Sequence, residues 1–238
     1  RLASVGQLAA GIAHEVRNPL ASISGAVQLL SGGEKVSPDE RALLEIVQRE
    51  TDRLERLIAS FLSYARPTSR GHRPVGVREL ILVTLRMFEN DPALGTGITC
   101  RVEELEEELW VTGDADQLKQ VLWNLLTNAA QAMAGRWGTI RVGAQRRPSA
   151  EEQGKSWIEV WVEDEGHGMS EELQAHIFDP FFTTRSTGTG LGLATVHRIV
   201  EEHGGVIEVR SSEGQGTRMA FLLKEARPQP LAASVAQS

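Results

Sequence analysis

The 238-residue chain has one cysteine, Cys100, and one tyrosine, and aromatic residues make up only 5% of it. A single thiol excludes an intramolecular disulfide framework and any metal site built from clustered cysteines, and it suits a reducing compartment, so a cytoplasmic location is expected. Positive charge is also short, with 25 Lys and Arg against 32 Asp and Glu and a net charge of −7. A sequence-independent grip on a phosphate backbone needs the opposite balance, so no nucleic-acid partner is expected. Long apolar runs are missing as well. Stretches such as Leu80-Ile81-Leu82-Val83 fall far short of the roughly 20 residues that span a bilayer, so this segment is expected to make no membrane contact. No signal-peptide pattern opens the chain. Helical periodicity is already under way by Val5, which reads as a piece of something longer, with any sensor or anchor upstream. What the chain does have is 41% hydrophobic residues, enough for one large domain or two modest ones.

The two halves follow different patterns. From residue 5 to 30 the apolar positions Val5, Ala9, Ile12, Val16, Leu20, Ile23, Val27 and Leu30 keep the alternating three-and-four spacing of a helical seam. Ser31-Gly32-Gly33 stops that helix, and Ser37-Pro38-Asp39-Glu40 starts another with a Ser cap, Pro at the first helical position and Glu three residues after the cap. Leu44, Val47, Thr51, Leu54, Ile58 and Phe61 continue the second seam until Pro67 closes it. A helical hairpin of this length leaves its stripes wet unless two hairpins pair into a four-helix bundle, so a homodimer is expected; the competing arrangement covers the stripes with residues 71–238 of the same chain.

Residues 68–76 read as a short linker. Beyond it the chain turns acidic, with 24 acidic against 16 basic residues over 71–238. Helices are predicted over 78–88, 115–133 and 191–203, and strands over 98–102, 139–144, 158–163, 206–210 and 217–223, a mixed α/β layer. The tail 226–238 has no period and is expected to be disordered.

In the first helix His14 projects about 170° from the centre of the apolar stripe. Asn18 shares that outward face four residues on, and Glu15 flanks the imidazole. An ordinary solvated helix face would look similar. Pro19 argues for more, because an interior proline removes a helix hydrogen bond and costs about 3 kcal/mol. An imidazole near neutrality is a nucleophile, and a neighbouring carboxylate fixes its tautomer and takes its proton. The run Leu8-Ala9-Ala10-Gly11-Ile12-Ala13-His14-Glu15-Val16-Arg17-Asn18-Pro19-Leu20 resembles the phospho-acceptor box of bacterial two-component sensor histidine kinases, closest in flavour to nitrogen-regulation sensors. The resemblance implies that His14 is phosphorylated, that Glu15 is its acid/base, and that Asn18 positions water when the kinase acts as a phosphatase.

In the second half, Asn124 and Asn128 lie four residues apart, opposite the apolar face of Leu118, Val121, Leu122, Leu125 and Ala129. The strand over 158–163 runs into Asp164-Glu165-Gly166-His167-Gly168, a carboxylate at a strand end before two glycines that permit close backbone approach. Then come a Phe-rich segment at 177–184 and Gly188-Thr189-Gly190-Leu191-Gly192-Leu193 opening a helix, where free N–H groups and the helix dipole favour phosphate. In this order the boxes resemble the ATP-binding domain that sensor kinases share with gyrase-, Hsp90- and MutL-type ATPases. The implied fold is α + α/β: a helical hairpin forming a dimeric four-helix bundle (1–67), then an α/β sandwich with a mixed sheet (77–225). The resemblance implies that Asp164 accepts the adenine amine, that Asn128 holds Mg²⁺, and that Asn124 supports the metal or the phosphates. It further implies that Gly166 and Gly168 line the base, that 178–184 with Arg185 and Ser186 form a lid including Phe178 and Thr184, and that Gly188, Thr189, Gly190, Leu191 and Gly192 face the phosphates. Two positions depart from the usual pattern. Gln131 stands where many relatives carry a basic residue, for which Arg185 is a possible substitute, and Glu165 stands where Asn is common.

The first function this supports is ATP-dependent autophosphorylation of His14 with transfer to an aspartate of a response-regulator receiver domain, with ATP and Mg²⁺ as cofactors. Phosphatase action on that regulator is a further expectation. A hydrolytic ATPase of the related fold is a poorer fit, because those relatives carry a glutamate base where Asn124 stands and an amide cannot take a proton from water. A non-catalytic signalling scaffold is the remaining alternative.

Overall fold

The computed structural model describes residues 20, 23–27, 30, 37–65, 71–91, 97–106, 108–148, 156–185 and 188–226. They fall into two compact units, one from Arg1–Ser69 with Asp179–Ala194 and one from Arg70–Phe178 with Thr195–Ser238.

In the first unit the predicted second helix forms as α1, Pro38–Ala65. Its start is the expected capping box: the Glu40 N–H donates to Ser37 Oγ at 3.3 Å and the Ser37 N–H donates to the Glu40 carboxylate at 2.9 Å. The Ser37 N–H and hydroxyl, both donating to the Glu40 carboxylate, hold it below its usual range. Thr51, the polar interruption of the seam, is buried and donates its hydroxyl to the Val47 carbonyl one turn back at 2.8 Å, so it enters an apolar stripe with its polar atom satisfied. Residues 23–27 are helical, and Gln48 of α1 donates to Ser24 Oγ at 2.9 Å, which joins the two arms of the predicted hairpin. Leu43, Ile46, Val47 and Leu54 are exposed along α1. The predicted break at 31–33, with 34–36, and the residues before Leu20 lie outside the described residues, and among the described residues no helix is long and apolar enough to cross a membrane.

The second unit is built on a five-stranded sheet. Its strands are β2 Ile98–Leu105, β4 Gly138–Pro148, β5 Ser156–Asp164, β6 Val206–Ser211 and β7 Thr217–Lys224, in the order β2-β4-β5-β7-β6. Only the β2–β4 pair is parallel, so the sheet is mixed as expected. Strict alternation decides its faces. Ile140, Val142, Ala144, Ile158, Val160, Val162, Met219, Phe221 and Leu223 are buried on one side, the side that takes α2 Val77–Glu89 and α3 Ala115–Ala132. The other side carries Arg141, Glu159, Trp161, Glu163 and Arg218, and here Trp161 is buried beneath the Arg218 guanidinium, 4.0 Å from its ring centre, a cation–π contact. The remaining helices are α4 Glu171–Gln174 and α5 Gly192–Glu202.

The sequence reading missed three elements. The second half of the expected linker, Arg73–Gly76, is strand β1, paired antiparallel with β3, Trp110–Gly113. Pro and Gly in a four-residue run signal a turn, but an edge strand tolerates both because its outer groups need no ladder partner. The one-turn helix α4 is too short to show periodicity. Of the tail expected to be disordered, Ala226 is described and donates its N–H to the Trp110 carbonyl at 2.8 Å; residues 227–238 lie outside the described residues.

Candidate functional site: the nucleotide cleft

Helix α3 is fixed at its start by Asp114, whose carboxylate accepts the N–H groups of Asp116 and Gln117 at 2.9 and 3.3 Å. The predicted face, Leu118, Val121, Leu122, Leu125 and Ala129, is buried together with Leu126 and Ala130. Asn124 and Asn128 are therefore left half-buried on the other side. Asn128 Nδ2 is buried and has no hydrogen-bond partner among the described residues. A buried amide group left unpaired costs about 1–3 kcal/mol, and its N and O ends are interchangeable by rotation. Such a group suits a site that a phosphate oxygen or a cation completes.

Asp164 ends β5 and is only 6% exposed. The Gly166 N–H donates to its Oδ1 at 2.8 Å. Burial pushes the carboxyl above its usual range, against the lowering effect of the Gly166 and Thr217 backbone N–H groups and of His167. The turn after Asp164 is bound to α3 by the His167 N–H, which donates to the Ala132 carbonyl at 3.3 Å, one turn beyond Asn128. A Cβ on Gly166 would sit 2.7 Å from the Ala132 Cβ and from Asp164 Oδ1, and Gly168 has φ +67° with the Ser212 carbonyl where a side chain would go. Both glycines are demanded by this close approach. The tertiary structure thus brings Asn124, Asn128, Asp164, Gly166 and Gly168 into one unit.

The other predicted nucleotide residues divide between the units. Phe178 belongs to the second unit and lies against His197 of α5, ring centres 5.4 Å apart. Residues 179–194 belong to the first. There the Phe181 N–H donates to the Gly190 carbonyl at 2.9 Å, closing a loop that holds Thr184, Arg185, Gly188, Thr189 and Gly190. Leu191 is buried, and Gly192 begins α5. Phe181 adopts φ +68° and is 61% exposed, a conformation that a bulky residue holds only at a cost of about 1–3 kcal/mol. Ser186, and with it His14, Glu15 and Asn18, lies outside the described residues.

Two features were not foreseen. Glu165, whose replacement of Asn had no predicted consequence, pairs with Arg141 at 2.7 Å and accepts the Thr139 N–H at 3.2 Å. His203, at the end of α5, accepts the Asp114 N–H on Nε2 at 3.1 Å and donates from Nδ1 to the Ile199 carbonyl at 2.7 Å. Neither contact has a sequence signal beyond residue type, since both partners are far apart in the chain. Burial, with Glu89 nearby, pushes the Cys100 thiol up to about 11, so thiolate is scarce at neutral pH.

Comparison with known proteins bears on the fold and the family. Residues 113–227 match the family described as histidine kinase-, DNA gyrase B- and HSP90-like ATPases, and residues 4–70 match the His kinase A phospho-acceptor domain. The catalytic domain of the histidine kinase ThkA is 34% identical, with a TM-score of 0.53, over 66% of this chain and 97% of that one. The chain belongs to the histidine kinase family. Among curated kinases, the sensor histidine kinase ZraS of Klebsiella oxytoca is 38% identical over 223 residues, 94% of this chain and 46% of ZraS. Full-length ShkA, solved in complex with AMPPNP, superimposes with a TM-score of 0.66 at 26% identity over 96% of this chain and 48% of ShkA. The chain thus spans about half the length of the curated kinases it matches. None of these matches bears on the finer likeness to nitrogen-regulation sensors.

Proposed function

We propose that this chain is the catalytic core of a cytoplasmic two-component kinase that phosphorylates itself on His14 from Mg-ATP and passes the phosphoryl group to an aspartate of a response-regulator receiver domain. Residues 1–67 serve as the dimerisation and phospho-acceptor hairpin, and 77–225, together with β1, serve as the ATP-binding domain. The exposed Leu43, Ile46, Val47 and Leu54 of α1 support a homodimer, because pairing two hairpins removes them from water. The observation that carries the nucleotide reading is the buried Asp164 carboxylate, aimed by the Gly166 N–H beside the helix of Asn128.

In this reading Asp164 accepts the adenine amine, and Gly166 and Gly168 let the base approach the backbone. Asn128, with Asn124 in support, holds a magnesium ion that neutralises phosphate charge when bound. The N–H groups of 188–192 receive the phosphates, and Phe178, Thr184 and Arg185 belong to a lid over them. An imidazole nitrogen of His14 attacks the γ-phosphorus, the bond to the β,γ-bridging oxygen breaks, ADP leaves, and the imidazole proton passes to Glu15. Asn18 positions water for hydrolysis of the phosphorylated regulator. Incubation with ATP labelled at the γ-phosphate tests this. Acid-labile, base-stable label that is absent from His14→Gln is expected; ATP binding without label would favour the scaffold, and phosphate release independent of His14 the hydrolytic ATPase.

A further inference from the structure

On the sheet face away from the helices, Arg141 of β4 reaches two carboxylates at once. Its Nη2 lies 2.9 Å from Glu163 and its Nη1 2.7 Å from Glu165. These two glutamates flank Asp164. Side chains alternate along a strand, so Glu163 falls on the back of the sheet and Asp164, the last residue of β5, on the front, with Glu165 just beyond the strand end. One planar guanidinium therefore spans the two residues on either side of the carboxylate assigned to adenine. A rigid fork suits this task as a flexible ammonium does not.

The bonds are substantial. The Glu163 hydrogen bond holds the Arg141 guanidinium protonated even more firmly than usual despite burial, with Glu165 adding to it. Burial pushes Glu163 up, but Arg141 and Arg218 outweigh it and leave its carboxyl below the usual range. Glu165 is fixed a second time by the Thr139 N–H at 3.2 Å. Beyond Glu165 the turn is held by the Gly166 N–H to Asp164, the His167 N–H to Ala132, the His167 Nδ1 to the Gly168 carbonyl and the Gly214 N–H to the His167 carbonyl.

We propose that Arg141 is a positioning residue for base recognition, holding the Asp164 turn in register through Glu163 and Glu165. This rests on the reading of Asp164 as the adenine acceptor. The role is specific to a chain with glutamate at 165, since an amide there offers Arg141 no ion pair.

Binding of ATP and ITP to the whole chain tests it, because the 6-oxo base of ITP has no amine to donate. Wild type is expected to prefer ATP. Arg141→Met is expected to weaken ATP about tenfold, within the range of couplings between directly interacting residues, and to leave ITP within about twofold, so the preference collapses. Loosening of the whole domain would weaken both nucleotides alike. The variant is expected to fold, because Glu163 keeps Arg218 at 3.3 Å. Glu165→Gln provides a second reading: it keeps an acceptor for Thr139 but loses the ion pair, shifts the preference the same way, and makes Arg141→Met non-additive. In labelling assays KM for ATP rises while the rate at saturation holds. A wild type indifferent to the base overturns the Asp164 reading; a preference that survives in both variants overturns the role of Arg141.

Discussion

Asp164 shows what it costs to bury a carboxylate at the end of a strand. Its burial raises the carboxyl's pKa in the folded chain, so its contribution to stability is fully present below the unfolded pKa and is lost as pH rises through the folded one. At neutral pH the ionised group therefore works against the fold. Asp164→Asn keeps an oxygen for the Gly166 N–H but removes the charge. Calorimetry is expected to show an apo melting temperature equal to or above wild type, while titration with Mg-ATP shows affinity down about 10–100-fold, the worth of a hydrogen bond to a charged group. In wild type, ATP affinity is expected to fall as acid protonates this carboxyl. A variant that melts lower yet binds normally would contradict both halves of this account.

At the scale of elements, His203 joins the end of α5 to the junction of β3 and α3. It accepts the Asp114 N–H and donates to Ile199, an arrangement only the neutral ring can make. Burial chiefly lowers its pKa, His72 adds to that, and the Ile199 bond, Asp114 and Glu202 oppose it. A depressed folded pKa means stability that is present above the unfolded value near 6.5 and lost as pH falls through the folded one. Urea denaturation is expected to show wild type losing stability faster than His203→Gln below about pH 6.5. Parallel pH profiles would rule the device out. Since α3 also carries Asn124 and Asn128, slackening at its N-cap is expected to reach the proposed nucleotide site.

For the whole molecule, the proposed dimer surface on α1 and the asparagines of α3 lie in different compact units, so a change at Asn128 is expected to leave dimerisation intact. Asn128→Asp alters the proposed metal ligand and adds a negative charge beside the phosphates, so γ-phosphate labelling should vanish while light scattering gives the same mass as wild type; a change of mass would contradict the division of labour. Much of this was legible in the chain itself. The seam of α1, its capping box, the faces of α3 and the alternation of β5 each depend on residues within a few positions of one another, which local spacing determines. Asp164 and the two asparagines were legible for the same reason: each box is a short run on one element. Apart from the one-turn α4, what escaped the sequence was non-local. The pairing of β1 with β3 spans Arg73 to Gly113, His203 meets Asp114 from 89 positions away, and Glu165 meets Arg141 across 24. Composition and periodicity determined which segments fold and which faces they bury. The tertiary structure alone decided which charged and polar side chains meet, because such contacts are made by chain segments whose separation no local pattern records.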